Sequence, residues 1–298
     1  MTQEYQDSIS RLSGKTCFVG IGSQKAGTSW LGNYFSKHPE ICFSPIKELH
    51  YFDWRFSPEN CGGWHQEFCR RLRKVERRLS EDGGPGVKRM VNLLRKRLEM
   101  ADCPDAYLEY FEQVVRPKHK AFGEISPSYS MMPAAGFTSM KRMLPNPKLI
   151  WMLRNPADRY WSQLRFTMKW KEGFSAEDQF MKKLNDPQFV LRTDYARTMN
   201  HLFSEFNRDE VLVIFYEQLF LGDHRDDEVR RITDFLGASN KAANFEKRIN
   251  VSDEMVLDAK LRQKAVRRFA HVYRAVAEYF GDIPESWQED LRFLEGGS

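Results

Sequence analysis

Three short stretches carry residue types that do chemistry together. The first is Gly22-Ser23-Gln24-Lys25-Ala26-Gly27, followed directly by Thr28 and Ser29. A glycine-bounded turn opening a helix gathers backbone N–H groups and the positive end of the helix dipole, and Lys25 adds a full charge. That is a cradle for a phosphate-like anion. Lys25 stands two residues before Gly27, and Thr28 occupies the place that a Walker A lysine would take. Gly20 and Gly22 start a dinucleotide fingerprint, but Lys25 replaces its third glycine. The loop therefore matches neither of the two commonest nucleotide loops. The bland alternative is a strand-to-helix turn with a solvated lysine.

The second stretch is Lys47-Glu48-Leu49-His50-Tyr51-Phe52-Asp53-Trp54, just behind a short apolar run at Ile41-Cys42-Phe43. Glu48 and His50 are both candidates for a general base. A capping glutamate and an ordinary surface histidine are the simpler reading. The third is Arg154-Asn155-Pro156-Ala157-Asp158-Arg159-Tyr160-Trp161-Ser162, after the apolar run Lys148–Leu153. Asn155 is placed to cap a helix beginning at Pro156. Arg154 and Ser162, two helical turns apart, form a candidate second anion site, with the guanidinium as a rigid fork of donors. Arg159 reads as a helix-surface ion pair.

Elements must hold these stretches on one rim. Thr16–Ile21, Ile41–Phe43, Lys120–Ile125, Lys148–Leu153 and Val211–Tyr216 read as strands, alternating with apolar-periodic helical segments. That alternation predicts an α/β protein with a parallel sheet covered on both faces, and ligands at the carboxyl ends of its strands. Val211–Tyr216, the most apolar run, is expected to lie centrally. Residues 66–100 predict a helical hairpin turning at Gly83-Gly84-Pro85-Gly86. Phe68, Leu72, Val75 and Leu79, then Val87, Met90, Leu94 and Leu98, form its apolar stripe, with the arginines outside. Asp194–Phe206 and Glu228–Leu236 read as helices, and Lys260–Phe280 as one long helix closed by Gly281.

The 298 residues, 41% hydrophobic and 29% charged, fit a folded globular chain, read here as a single domain with a basic helical insertion at 66–100. That insertion holds eleven Lys/Arg against five Asp/Glu, and the remaining residues hold 35 against 36, so the whole net charge of +5 originates in it. No apolar run reaches the ~18–20 residues that span a bilayer. The first fifteen residues do not read as a signal peptide, and the five cysteines form no C-x-x-C pair, so a cytoplasmic protein with reduced thiols is expected. No His/Cys/Asp cluster has metal-ligand spacing, and no metal is expected.

Gln24-Lys25-Ala26-Gly27-Thr28-Ser29-Trp30 resembles the 5′-phosphosulfate loop of sulfotransferases that use 3′-phosphoadenosine 5′-phosphosulfate (PAPS). Arg154-Asn155-Pro156 with Arg159 and Ser162 resembles that family's 3′-phosphate motif. Lys47-Glu48 through Phe52-Asp53 is similar to the segment carrying the catalytic glutamate in its carbohydrate branch. Gly123-Glu124 through Pro127-Ser128-Tyr129, and Phe235-Leu236-Gly237, fall in family order, so the likeness covers about residues 15–285.

The resemblance implies a three-layer, P-loop-NTPase-like sulfotransferase fold. Lys25 and the loop amides, with Gln24, Ala26, Gly27, Thr28 and Ser29, would hold the phosphosulfate, and Arg154 and Ser162 the 3′-phosphate. Trp30 would stack on adenine or serve as a core aromatic. Glu48 would deprotonate the acceptor, with His50 as the second candidate because the cytosolic branch uses a histidine there. The acceptor would be a carbohydrate, lipid or small molecule, an anionic one if the basic hairpin meets it, and no nucleic acid is expected as a partner. One departure stands out: Ile125 replaces the lysine of the carbohydrate branch's E-K-[ST]-P motif, which argues against heparan-type acceptors. A nucleotide kinase with an aberrant loop, or a non-catalytic nucleotide- or nucleic-acid-binding module, are the competing classes.

Overall fold

The computed structural model describes residues 10–61, 63–81, 83–168, 176–245 and 257–296. Residues 1–9, most of the stretch read for a signal peptide, lie outside them.

Five parallel strands form one sheet in the order β2-β3-β1-β4-β5. They are β1 (Thr16–Gly22), β2 (Ile41–Phe43), β3 (Ala121–Ile125), β4 (Lys148–Leu153) and β5 (Val211–Phe215). The helices that frame the sheet and the site include α1 (Thr28–Ser36), α2 (Tyr51–Phe56), α3 (Trp64–Glu81), α4 (Pro85–Glu99), α5 (Ala106–Glu112), α6 (Ala134–Met143) and α7 (Pro156–Met168). They continue as α8 (Tyr195–Phe203), α9 (Arg225–Phe235), α10 (Ala259–Arg268), α11 (Ala270–Phe280) and α12 (Glu285–Gly296). Helices cover both faces of the sheet, over two separate apolar clusters. The architecture is the three-layer α/β fold anticipated from the alternation of elements.

β1 sits at the centre, pairing β3 on one side and β4 on the other. From β1 the chain crosses first to the edge strand β2, returns to β3 beside β1, and then passes to the other side through β4 and β5. The loops after β1 and β4 therefore flank the crevice where the winding reverses, the place where open α/β sheets bind ligands.

Four expectations change. β5 lies at the sheet edge, paired only with β4, and its Leu212 and Val213 are half-buried. An apolar run meets packing from helices at an edge as well as at a centre, so its composition did not distinguish the two. The helix expected over 260–280 breaks at Phe269 (φ −101°, ψ 17°), whose ring turns fully into the core beside Tyr160. The hairpin does form, as α3 and α4. Its arginines are not all outside, however: Arg97 is buried among apolar neighbours, with its guanidinium 4.5 Å from the Phe68 ring centroid. Finally, Arg159 is fully buried rather than paired on a helix surface.

Candidate active site

The loop after β1 is shaped by backbone conformation. Gly22 (φ +136°) and Gly27 (φ +94°) lie in the left-handed region. A Cβ at Gly22 would sit 2.5 Å from the Pro127 carbonyl oxygen, so β3's following turn packs directly on the loop. Ser23 N–H donates to Met152 O (2.8 Å), and Ser23 Oγ accepts from Trp151 Nε1 (3.1 Å), tying the turn to β4. Gly27 is the N-cap of α1, so the turn sits at the positive end of that helix's dipole.

Four cations gather around this turn. Burial lowers the Lys25 ammonium to about 8, and the charges of Arg154, Arg165 and Arg159 add to that effect. Among the described residues, no carboxylate is among the groups acting on it. Lys25 Nζ lies 4.3 Å from the Phe166 ring centroid. Arg154 Nη1 donates to Lys25 O (3.1 Å), and its guanidinium carbon sits 4.4 Å from the Tyr216 ring centroid. Its Nε is buried with no hydrogen-bond partner among the described residues. Arg159 donates to Thr193 Oγ1 (2.7 and 3.0 Å), Gln163 Oε1 (2.7 Å) and Gln24 O (3.5 Å), and burial first of all lowers it to about 10. Arg192 Nε donates to Gln24 Oε1 (2.8 Å), so the glutamine side chain is already engaged in positioning the loop. Like charges at this density repel one another unless an anion joins them, and an orphaned buried N–H asks for an acceptor. The donor set fits a phosphate- or sulfate-bearing group.

Trp30 stacks with Phe245 (centroids 4.9 Å apart, 20° between planes) and with Tyr34 (5.8 Å, 5°), while Nε1 donates to Asn244 O. These contacts pin residues 244–245 against α1. Ala26 is fully buried and Ser162 is 5% exposed on the inner face of α7.

The second part of the site is the segment Lys47–Asp53. Glu48 (φ +54°) and His50 (φ +50°) both take left-handed backbone angles, costly for residues with a Cβ by about 1–3 kcal/mol each. Surrounding groups hold them there. Leu49 N–H donates to Glu124 Oε2 (3.3 Å), His50 N–H to Ser126 Oγ (3.1 Å), and Tyr51 N–H to Tyr129 Oη (2.9 Å). The buried Arg97 donates from Nε to Leu49 O and from Nη2 to His50 O (3.2 Å). Glu124 is itself buried and pushed up to about 7 by desolvation, against the hydrogen bonds it accepts from Tyr129 (2.6 Å) and Ser126 (2.7 Å).

The His50 ring is enclosed. Nδ1 faces Asp53 Oδ2 (2.7 Å), Nε2 faces Glu48 Oε2 (3.3 Å), and Trp64 stacks on the ring at 4.1 Å. Burial works against charging the imidazole, but the hydrogen bonds to Asp53 and Glu48 prevail and raise it to about 9. At neutral pH it is an imidazolium with both nitrogens donating. Glu48 is also desolvated, yet the hydrogen bond from His50 and the charge of Lys47 hold it below the usual carboxylate range. The structure thus brings Glu48 and His50 together as an ion pair. The ionised, 19%-exposed carboxylate is the member that faces the cavity.

That cavity, of about 680 Å³, is bounded by Thr28 and Ser29 at the start of α1, by Glu48, and by Ile125 and Pro127. Ile125 packs on Gly20, whose missing Cβ would meet Ile125 Cγ1 at 2.5 Å. The position where the carbohydrate branch carries a lysine is a wall here. Sequence reasoning missed Asp53, Arg97, Trp64, Arg165, Arg192 and Ser128, whose Oγ donates to Asp53 Oδ2. Asp53, three residues after His50 and on the first turn of α2, was the one whose spacing carried a signal.

The fold is thus a central parallel sheet with a cation-rich turn at its switch point and an ionised carboxylate on one cavity. The chain belongs to the sulfotransferase family: the model described as "Sulfotransferase family" matches residues 18–241. It is similar to the membrane-associated sulfotransferase kil1 of Dictyostelium discoideum, 27% identical over 157 residues, which are 51% of this chain and 23% of that protein. The match thus spans about a quarter of that relative's length. Among solved structures it is similar to a sulfotransferase from Alicyclobacillus acidocaldarius, with a TM-score of 0.62 and 24% identity over 92% of this chain and 99% of that one. That likeness concerns the fold. No helix among the described residues is long and apolar enough to cross a membrane.

Proposed function

We propose that this chain transfers the sulfuryl group of PAPS to a hydroxyl or amine of a carbohydrate, lipid or small-molecule acceptor by in-line displacement. The observation that carries the reading is one cavity bounded both by the first turn of α1, next to the four-cation cluster, and by the ionised Glu48.

PAPS, when bound, supplies the sulfuryl group and carries anionic groups at two ends. Lys25 and the N–H groups of Gly27, Thr28 and Ser29 receive the 5′-phosphosulfate, and Lys25 offsets charge growing on the leaving oxygen. Arg154, with its orphaned Nε, and Ser162 receive the 3′-phosphate. Glu48 takes the acceptor's proton as its oxygen or nitrogen attacks sulfur and the bond to the bridging oxygen breaks. His50 holds the carboxylate in place as a cation and does not compete for that proton. Residues Gln24 and Ala26 shape the loop. Positioning and cationic stabilisation account for the chemistry. The unpaired cysteines at 17, 42, 69 and 103 support a cytoplasmic location.

The test is an acceptor screen with labelled PAPS over sugars, lipids, phenols and small alcohols, alongside calorimetric binding of adenosine 3′,5′-bisphosphate (PAP). Micromolar PAP binding with label on one acceptor class is expected. Mg-dependent ATP turnover without PAP binding would replace this reading with a phosphotransferase.

A further inference from the structure

The acceptor side of the cavity is unevenly charged. Beyond Glu48 its lining includes Lys47, Arg89 and Arg116, with Lys118 next to them. Arg89 and Arg116 are shared with a second hollow that continues past Arg11 and Lys15. The two hollows form one basic cleft drawn from four places in the sequence: the turn before β1, the Glu48 segment, α4 and the loop before β3. Lys15 is already engaged, with Nζ donating to Pro117 O and His119 O. Arg89, Arg116 and Lys118 are exposed, and among the described residues no carboxylate forms a salt bridge with them. The nearby acids are committed elsewhere: Glu112 accepts from the Arg11 backbone N–H and Glu48 pairs with His50.

The charges converge on one spot. The Cys42 thiol, on the cavity wall, is raised by burial to about 11 and would lie higher without the opposing fields of Arg89, Arg116 and Lys15. A concave site lined by one sign of charge concentrates ions of the other sign. With a cavity in the range of small-molecule sites, lined by Phe43 and the imidazoles of His38 and His119 but by no row of Phe, Tyr or Trp among the described residues, the cleft suits a compact ligand better than a run of stacked bases.

We propose that the acceptor is itself acidic: a small hydroxylated molecule that presents its hydroxyl to Glu48 and a carboxylate, phosphate or sulfate group to Arg89, Arg116 and Lys118. This rests on the sulfotransfer reading for the role of Glu48 and on the cleft alone for the oxyanion.

The experiment compares methyl glucoside, glucuronate and glucose 6-phosphate, with the full chain and PAP or labelled PAPS, by calorimetry and by transfer. The acidic sugars should bind at least about tenfold more tightly than the neutral one at low salt, with the gap shrinking at 0.5 M salt as screening would require. The two acidic arms separate a carboxylate from a phosphate preference. Arg89→Gln with Arg116→Gln should erase the gap and leave PAP affinity as it was, and Arg89→Lys with Arg116→Lys should restore part of it. Thermal unfolding of each variant checks that it is folded. Equal binding of neutral and acidic sugars, a gap that survives the double glutamine variant, or equal competition by a short single-stranded oligonucleotide overturns the proposal. Charge preference without any PAP binding would instead remove the sulfotransfer reading and keep the acidic cleft ligand. PAP binding without charge preference would do the opposite.

Discussion

His50 Nε2 lies 3.3 Å from Glu48 Oε2 while its Nδ1 is held by Asp53 at 2.7 Å, so the histidine is a buried cation fastened to the carboxylate that faces the cavity. Two residues that look interchangeable as bases in the sequence are distinguished by this arrangement. Glu48 is the half-buried anion that faces the cavity, and His50 is the buried cation.

Glu48→Gln is therefore expected to lower kcat by at least about a hundredfold, the scale of a lost general base, with PAP affinity within twofold of the parent. His50→Gln keeps the carboxylate but releases it, and should cost less in rate. It should also raise the acidic limb of the pH–rate profile toward the ordinary carboxylate range, since the imidazolium no longer holds Glu48 down. An unmoved acidic limb would mean that the pair does not act as described.

Lys25 is depressed to about 8 by burial and by three arginines. It is charged below that value and neutral above it, and an anion binds the charged form. PAP affinity should fall as pH rises through about 8, and binding at pH 8.5 should take up a proton, seen as a buffer-dependent calorimetric enthalpy. Lys25→Ala should remove both effects and nearly all transfer. Proton release on binding would contradict the site.

Arg154 acts twice, through Nη1 on the Lys25 carbonyl and through an Nε left for the ligand. Arg154→Ala should weaken PAP about 10–100-fold, the equivalent of ~1.5–3 kcal/mol for a hydrogen bond to a charged group. Arg154→Lys should rescue little, because a single ammonium cannot serve both sites. An unchanged PAP affinity in the alanine variant would take this residue out of the donor site.

Arg97 tests the loop rather than the donor. Its contacts to Leu49 O and His50 O hold a backbone with two left-handed residues. Arg97→Met keeps bulk against Phe68 but drops those donors. We expect a kcat loss of about tenfold or more with an unchanged PAP affinity, and a fall in stability of ~1–3 kcal/mol for the carbonyls left unpaired. A normal rate at lowered Tm would assign it to packing alone.

Arg159→Leu should destabilise by about 3 kcal/mol or more, read by denaturant midpoint, because Thr193, Gln163 and the Gln24 carbonyl lose a buried donor together. A surface ion pair would have cost under about 1 kcal/mol.

Much of this was readable along the chain. Gly22, Gly27 and the displaced Lys25 marked the cradle because backbone angles and helix starts depend on local residue types. Asn155 and Pro156 marked the start of α7 for the same reason, and Asn155 Oδ1 does accept from Ala157 N–H (3.0 Å). What resisted was burial. Arg97 sits in a helix whose other charged residues are mostly exposed, and Arg159 in one whose Asp158 and Arg165 are half-buried, and a charged residue's sequence neighbours say little about whether it finds carbonyls to pair with inside. The break at Phe269 was hidden because both halves keep helical periodicity.

By itself, the sequence determined the strands, the start of α7 and the glycine-bounded turn that carries Lys25, all properties of residues within a few positions of one another. Only the tertiary structure placed β5 at the edge, set Trp30 against Phe245, and gave His50 to Asp53 and Glu48. It also brought Arg89, Arg116 and Lys118 beside one cavity. Those depend on distances between residues far apart in the chain, and protonation follows the field at a point in space.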